Sequence, residues 1–164
     1  MKQIGKKKVL SIIAIILAIG IGFGGFYFGQ AQGQSMTIES YQSKVTSLIT
    51  DVRSNSEKWS DILGGARDGS GGLSFIDFCA PVYAEKIKIL GEAFVKAADE
   101  FEGLGDAYDT LQEYEAYQQF FTTYREIGTL MIAFSNAARE SEYDTALAEI
   151  DNIIALYETR PVLY

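Results

Sequence analysis

"IESYQSKVTSLITDVRSNSEKWSDI", residues 38–62, decides how the rest of the chain is read. Within it Ile38, Tyr41, Val45, Leu48, Val52, Asn55, Trp59 and Ile62 recur at alternating spacings of 3 and 4, unbroken over more than three heptads. Groups at that interval share one side of an α-helix, and a helix with one oily side buries it lengthwise against others. The spacing predicts a helix over residues 35–63. "GGARDGSGG", residues 64–72, follows with five glycines in nine residues and is expected to end it in a flexible turn.

Two further seams keep the same interval. Tyr83, Ile87, Leu90, Phe94, Ala97, Phe101 and Leu104 predict a helix over 81–103, with Pro81 at its first position, where a missing N–H costs nothing. Gly103 or Gly105 can take the left-handed capping conformation, and Asp106 can cap the next helix. That helix is expected over 106–139, its seam being Tyr117, Phe120, Tyr124, Ile127, Met131, Phe134 and Ala138. Continuing its phase reaches Ser141, Thr145 and Ala148, poor core residues. The pattern restarts instead as Tyr143, Leu147, Ile150, Ile154 and Tyr157, with Ser141 and Asp144 spaced as a capping box, predicting a helix over 142–158 before Pro161.

No β alternation appears. The expected fold class is all-α: one N-terminal transmembrane helix, then an antiparallel four-helix bundle whose helices bury one another. In that topology "RPVLY", residues 160–164, returns towards the membrane, while the glycine-rich loop and "LSFIDFCAP", residues 73–81, lie at the far end. Two pieces, "LGDAYDTLQEYEAYQQF" (104–120) and "EYDTALAEI" (142–150), resemble parts of tetratricopeptide helical hairpins. The resemblance covers well under half the chain, and the pieces are not one ~34-residue repeat apart. It implies an alternative, an open stack of hairpins with the glycines of "GLGD" inside a helix.

The N-terminus sets the address. Residues 1–8 form a basic lead with Lys2, Lys6, Lys7 and Lys8, and no Asp or Glu precedes Glu39. Residues 9–28 carry no charge and one polar side chain, Ser11, enough helix to cross ~30 Å of hydrocarbon at ~1.5 Å per residue. The segment 9–29 is therefore read as a transmembrane helix, with Phe23, Phe26, Tyr27 and Phe28 suited to the membrane interface and the lysines on the cytoplasmic side. Residues 30–164 become an exported helical domain, periplasmic or extracellular. The alternative is secretion after signal-peptide cleavage near Ala31, since Gly29-Gln30-Ala31 has a small-x-small form. Ala14, Ala18, Gly22, Gly25 and Gly29 fall at spacings of 4, 4, 3 and 4 and would let another helix approach closely. The plainer reading is that Gly and Ala are common in membrane helices.

Composition narrows the chemistry. From residue 30 onward 10 Lys and Arg face 22 Asp and Glu, net −12, which repels phosphate and excludes a basic nucleic-acid face. No histidine is present, and the single cysteine, Cys79, leaves no internal disulfide or CxxC pair. No catalytic, cofactor-binding or metal-binding set can be assembled, so the chain is expected to be no enzyme and to need no cofactor.

Asn55, on the seam, either fixes register as buried polar residues do in coiled coils or lies where water reaches it. Trp59, Tyr114, Tyr117 and Tyr124 fill a core, or else line a groove for a small ligand. Cys79 is a small buried apolar residue, or the point of a disulfide to a partner or of a lipid. Phe75, Ile76, Phe78 and Cys79 either seal the end of the bundle or form an edge for partner contact. The leading expectation is a single-pass anchored interaction module, an accessory or assembly subunit of a membrane complex. Its partners would be other membrane subunits, or copies of itself, met through the transmembrane helix within the lipid bilayer. The alternative is an extracytoplasmic sensor or small-ligand-binding bundle acting through a partner.

Overall fold

The computed structural model describes residues 36–67, 75–105 and 108–163, and of residues 64–67 the backbone alone. Residues 9–29, with the expected membrane helix and its stripe Ala14, Ala18, Gly22, Gly25 and Gly29, lie outside the described residues. Among the described residues no helix is long and apolar enough to cross a membrane. The portion from Thr37 to Tyr164 is a unit of its own.

Every regular element among the described residues is helical: α1 (Ile38–Arg67), α2 (Phe75–Cys79), α3 (Pro81–Glu102), α4 (Tyr114–Arg139) and α5 (Tyr143–Thr159). They form a helical bundle whose interior is built largely from the predicted seams of α1, α3 and α4, Ile38 being 39% exposed, and from a row of α5 other than the predicted one. Trp59, Ile87, Phe94, Ile127, Met131, Phe134 and Ile153 are shut off from water, each large apolar side chain contributing ~1.5–3 kcal/mol. Helices α3 and α4 run antiparallel, with Arg125 holding Asp99 at 2.8 Å and Glu102 at 2.6 Å near one end and Arg139 holding Glu85 at 3.7 Å near the other. These pairs face solvent, so the contact between the two helices rests on something else.

Beside ring contacts between Phe94 and Tyr124 and between Phe101 and Phe121, two glycines let the helices approach closely. A Cβ placed on Gly91 would stand 2.6 Å from the Gly128 carbonyl oxygen, and one placed on Gly128 would stand 2.5 Å from the Gly91 carbonyl oxygen. Each backbone fills the space that the other's missing side chain leaves, so α3 and α4 touch main chain to main chain.

Helix bounds differ from the spacing-based ones where local chemistry overrides periodicity. Helix α1 passes through Gly64 and Gly65 to Arg67, four residues beyond the expected stop at 63, because glycine lowers helix propensity by only ~1 kcal/mol and a formed helix propagates easily. Pro81 does open α3, after Ala80 in an extended conformation. Of the two capping glycines, Gly105 takes the left-handed conformation with φ 70°, while Gly103 stays at −64°. Asp106 lies outside the described residues.

Helix α4 starts at Tyr114 and not at 106. Residues 108–113 form turns through Leu111 N–H to Tyr108 C=O and Tyr114 N–H to Leu111 C=O, both 3.0 Å. Asp109 and Thr110 favour turns because their side chains compete for backbone groups, and the turn lays the Tyr108 ring 4.8 Å from that of Tyr41. The glycines that a tetratricopeptide-like stack would place mid-helix lie in this connection. Residues 75–79, expected outside any long helix, form the single short helix α2, which packs on α3, α4 and α5.

The α4–α5 reversal also differs. No capping box forms: Glu142 is the N-cap of α5 and makes no side-chain cap bond. Ser141 instead adopts φ 60°, with Glu142 N–H to Ala137 C=O at 2.8 Å and Ser141 N–H to Ala138 C=O at 3.3 Å. This pair of bonds is the Schellman arrangement with serine in glycine's usual place. The tight reversal sets the rotation of α5, and its buried row becomes Ala146, Ile150, Ile153 and Tyr157. Tyr143 and Leu147, expected on the seam, are 54% and 46% exposed, and Ile154 is half-buried.

Candidate functional site

Trp59 is fully enclosed, its ring meeting that of Tyr157 edge-on at 6.4 Å, and its indole N–H has no hydrogen-bond acceptor. Tyr124 packs between Phe94 at 5.0 Å and Phe120 at 4.7 Å. Tyr114, half-buried, lies 6.1 Å from Phe101, and Tyr117 is half-buried as well. These rings occupy the interior and its margins.

Beside them runs a chain of hydroxyls. Ser56, buried within α1, donates to the Tyr124 hydroxyl at 3.1 Å, and the Tyr157 hydroxyl donates to the Ser56 carbonyl at 2.9 Å. Tyr157 therefore accepts from Ser60 across 3.1 Å. Arg160, just past α5, donates through Nε to the Tyr124 hydroxyl at 3.0 Å and lays its guanidinium 3.7 Å over the Tyr157 ring. It also bonds the Tyr157 carbonyl, and Arg53 of α1 reaches the Leu163 carbonyl. The tail thus clasps α1 to α4 and α5. The cluster's bonds join α1 to α4, α5 and the tail.

Asn55 sits one position before Ser56, half-buried at a recess between α1 and α3. Its amide donates to the Asp51 carbonyl at 3.0 Å and its oxygen accepts from Lys58 at 3.1 Å, both bonds staying on its own helix. The polar side chain buried in the α1 seam is Ser56. The recess holds about 230 Å³ and is bordered by Asp51, Lys58, Lys96 and Glu100. None of the four candidate ring residues lines it.

At the end where α3 begins and α4 gives way to α5, the residues singled out in "LSFIDFCAP" split in two. Phe78 and Cys79 are buried at 7% and 9%, whereas Ile76 is 79% exposed and Phe75 half-buried. Burial pushes the Cys79 thiol up from its ordinary value, which makes it a poor nucleophile. Val82, Tyr143 and Leu147 are exposed at the same end. Among the described residues, no three His, Cys, Asp or Glu gather as metal ligands.

Periodicity alone passed over Gly91, Gly128, Ser56 and Arg160. A signal for the glycines was present: each follows a core residue, Leu90 or Ile127, and so edges the buried face. In comparisons with known proteins, no family model, no curated protein and no solved structure matches the chain.

Proposed function

We propose that this protein is a membrane-anchored interaction module, an accessory or assembly subunit of a membrane complex, and that it is non-catalytic. Residues 9–29 would be the single-pass anchor, the lysines before it cytoplasmic, and the rest an antiparallel four-helix bundle outside. The observation that carries this reading is that four of the seven exposed large apolar side chains among the described residues, Ile76, Val82, Tyr143 and Leu147, lie on α2 and in the opening turns of α3 and α5, with Ile38, Ile89 and Val162 elsewhere. Scattered apolar residues are ordinary on a protein surface, but a group sharing one end suits partner contact.

The recess between α1 and α3 gives little support to a small-ligand sensor, being small, polar and not lined by the candidate rings. Crosslinking followed by pull-down from detergent-solubilised membranes is expected to recover a stoichiometric partner with the full-length chain. Recovery of a lone monomer would overturn the proposal. The mass of the native protein in the membrane fraction tests the anchor, since cleavage near Ala31 would remove it.

A further inference from the structure

Helix α5 carries two apolar rows. The inner row, Ala146, Ile150, Ile153 and Tyr157, is consumed by the bundle. The outer row is Tyr143, Leu147 and Ile154, at intervals of 4 and 7, with the first two open to water and the third half-buried. Directly beside it, on the side away from the core, Asp144, Asp151 and Glu158 follow one another every seven residues, all exposed. Residues spaced this way form straight lines down a helix, here about 17 Å long over three turns. The pairing reproduces one half of a coiled-coil interface, an apolar line edged by charge.

We propose that the outer row of α5 is a docking seam for an amphipathic helix of another protein, one whose own apolar row is edged by lysine or arginine. The proposal rests on the interaction-module reading and names the partner's chemistry.

Charge complementarity selects the occupant. From residue 140 to 159 there are six acidic residues and no Lys or Arg. A second copy of this chain would set Asp144 and Asp151 against their own kind within a body of net charge −12 from residue 30 onward, and an anionic lipid surface would be repelled in the same way. A basic helix is drawn in, and its apolar line covers Tyr143, Leu147 and Ile154. Ile76, on α2, which packs on α5, is also exposed.

The test uses the full-length chain in detergent micelles and two fluorescent three-heptad peptides, alike in a leucine seam but flanked by lysine or by glutamate. Anisotropy is expected to show binding of the lysine-flanked peptide, weakening with salt, and none of its twin. Leu147→Asp should weaken binding on the order of tenfold or more while leaving helicity and melting unchanged, since the position is half open. The pair Asp144→Lys with Asp151→Lys should reverse the peptide preference. Equal binding of both peptides, indifference to Leu147→Asp, or a dimer that Leu147→Asp dissolves would overturn the seam. So would Leu147-dependent uptake by zwitterionic vesicles. Pull-down from membranes separates the two levels. If the Leu147→Asp chain keeps a stoichiometric partner, the seam fails while the module reading stands. If the unaltered chain comes back alone, both fail.

Discussion

Helices α3 and α4 add a backbone contact to their ring contacts, while α1 packs on α3 and reaches α4 and α5 through rings and hydroxyls. In the first contact Gly91 and Gly128 lie carbonyl to Cα, with nothing that can rotate away. In the second, Trp59, Ser56 and Ser60 reach Tyr124 and Tyr157, and the tail residue Arg160 completes the arrangement. Buried polar atoms without partners, at a cost of ~1–3 kcal/mol each, occur on both sides of the comparison: the Tyr41 hydroxyl and Trp59 N–H in α1, and Arg125 Nε and Ser135 Oγ in α4. A backbone contact is tight and intolerant of substitution; a side-chain contact is adjustable and easier to open. The bundle therefore has a firm hairpin and a more loosely held first helix.

The largest effect should come from breaking the hairpin. Gly128→Val drives a branched side chain into the Gly91 carbonyl, and urea unfolding is expected to show a loss of about 3 kcal/mol. Amide hydrogen exchange sharpens the contrast without mutation. Protection over α1 should fall below that over α3 and α4 by on the order of 2 kcal/mol, and equal protection would show that the helices open together. Next in size is Tyr124→Phe, which removes the acceptor used by Ser56 and Arg160. A cost of about 1–2 kcal/mol is expected, with exchange accelerated in α1 before α3.

How much of this was legible in the sequence follows from the kind of contact involved. The seams of α1, α3 and α4 were readable because a buried apolar row leaves a period, and Val45, Val52, Ile87, Phe94, Ile127 and Phe134 fall where that period puts them. The rotation of α5 was not, because Ser141 at φ 60° sets it and a serine does not announce a left-handed turn. Nor was the hydroxyl cluster, whose members lie 68 and 101 residues apart. Asn55 and Ser56 are adjacent polar residues, and only the packing tells which of them faces inward.

Two smaller changes probe those points. Ser141→Gly relieves the left-handed conformation and should stabilise the protein by about 0.5–1 kcal/mol in thermal unfolding. Glu149→Gln should act least, raising the melting temperature slightly at neutral pH. Burial lifts the Glu149 carboxyl above its ordinary value, with a bond to Asn152 opposing. Its folded-state pKa thus exceeds the unfolded one, so its favourable contribution is complete below the unfolded value and is lost as pH rises through the folded value. The gain from Glu149→Gln is accordingly expected to vanish in acid.

The clasp at the tail also orders events during synthesis. A polypeptide leaves the ribosome N-terminus first, yet the Leu163 carbonyl that Arg53 holds lies 110 residues further along. Helix α1 can meet α3 early, but its bonds to Tyr124, Tyr157 and Leu163 form only after those later segments have been made. Over that interval the hairpin of α3 and α4, whose contacts are local, can assemble and serve as the template on which α1 is fixed.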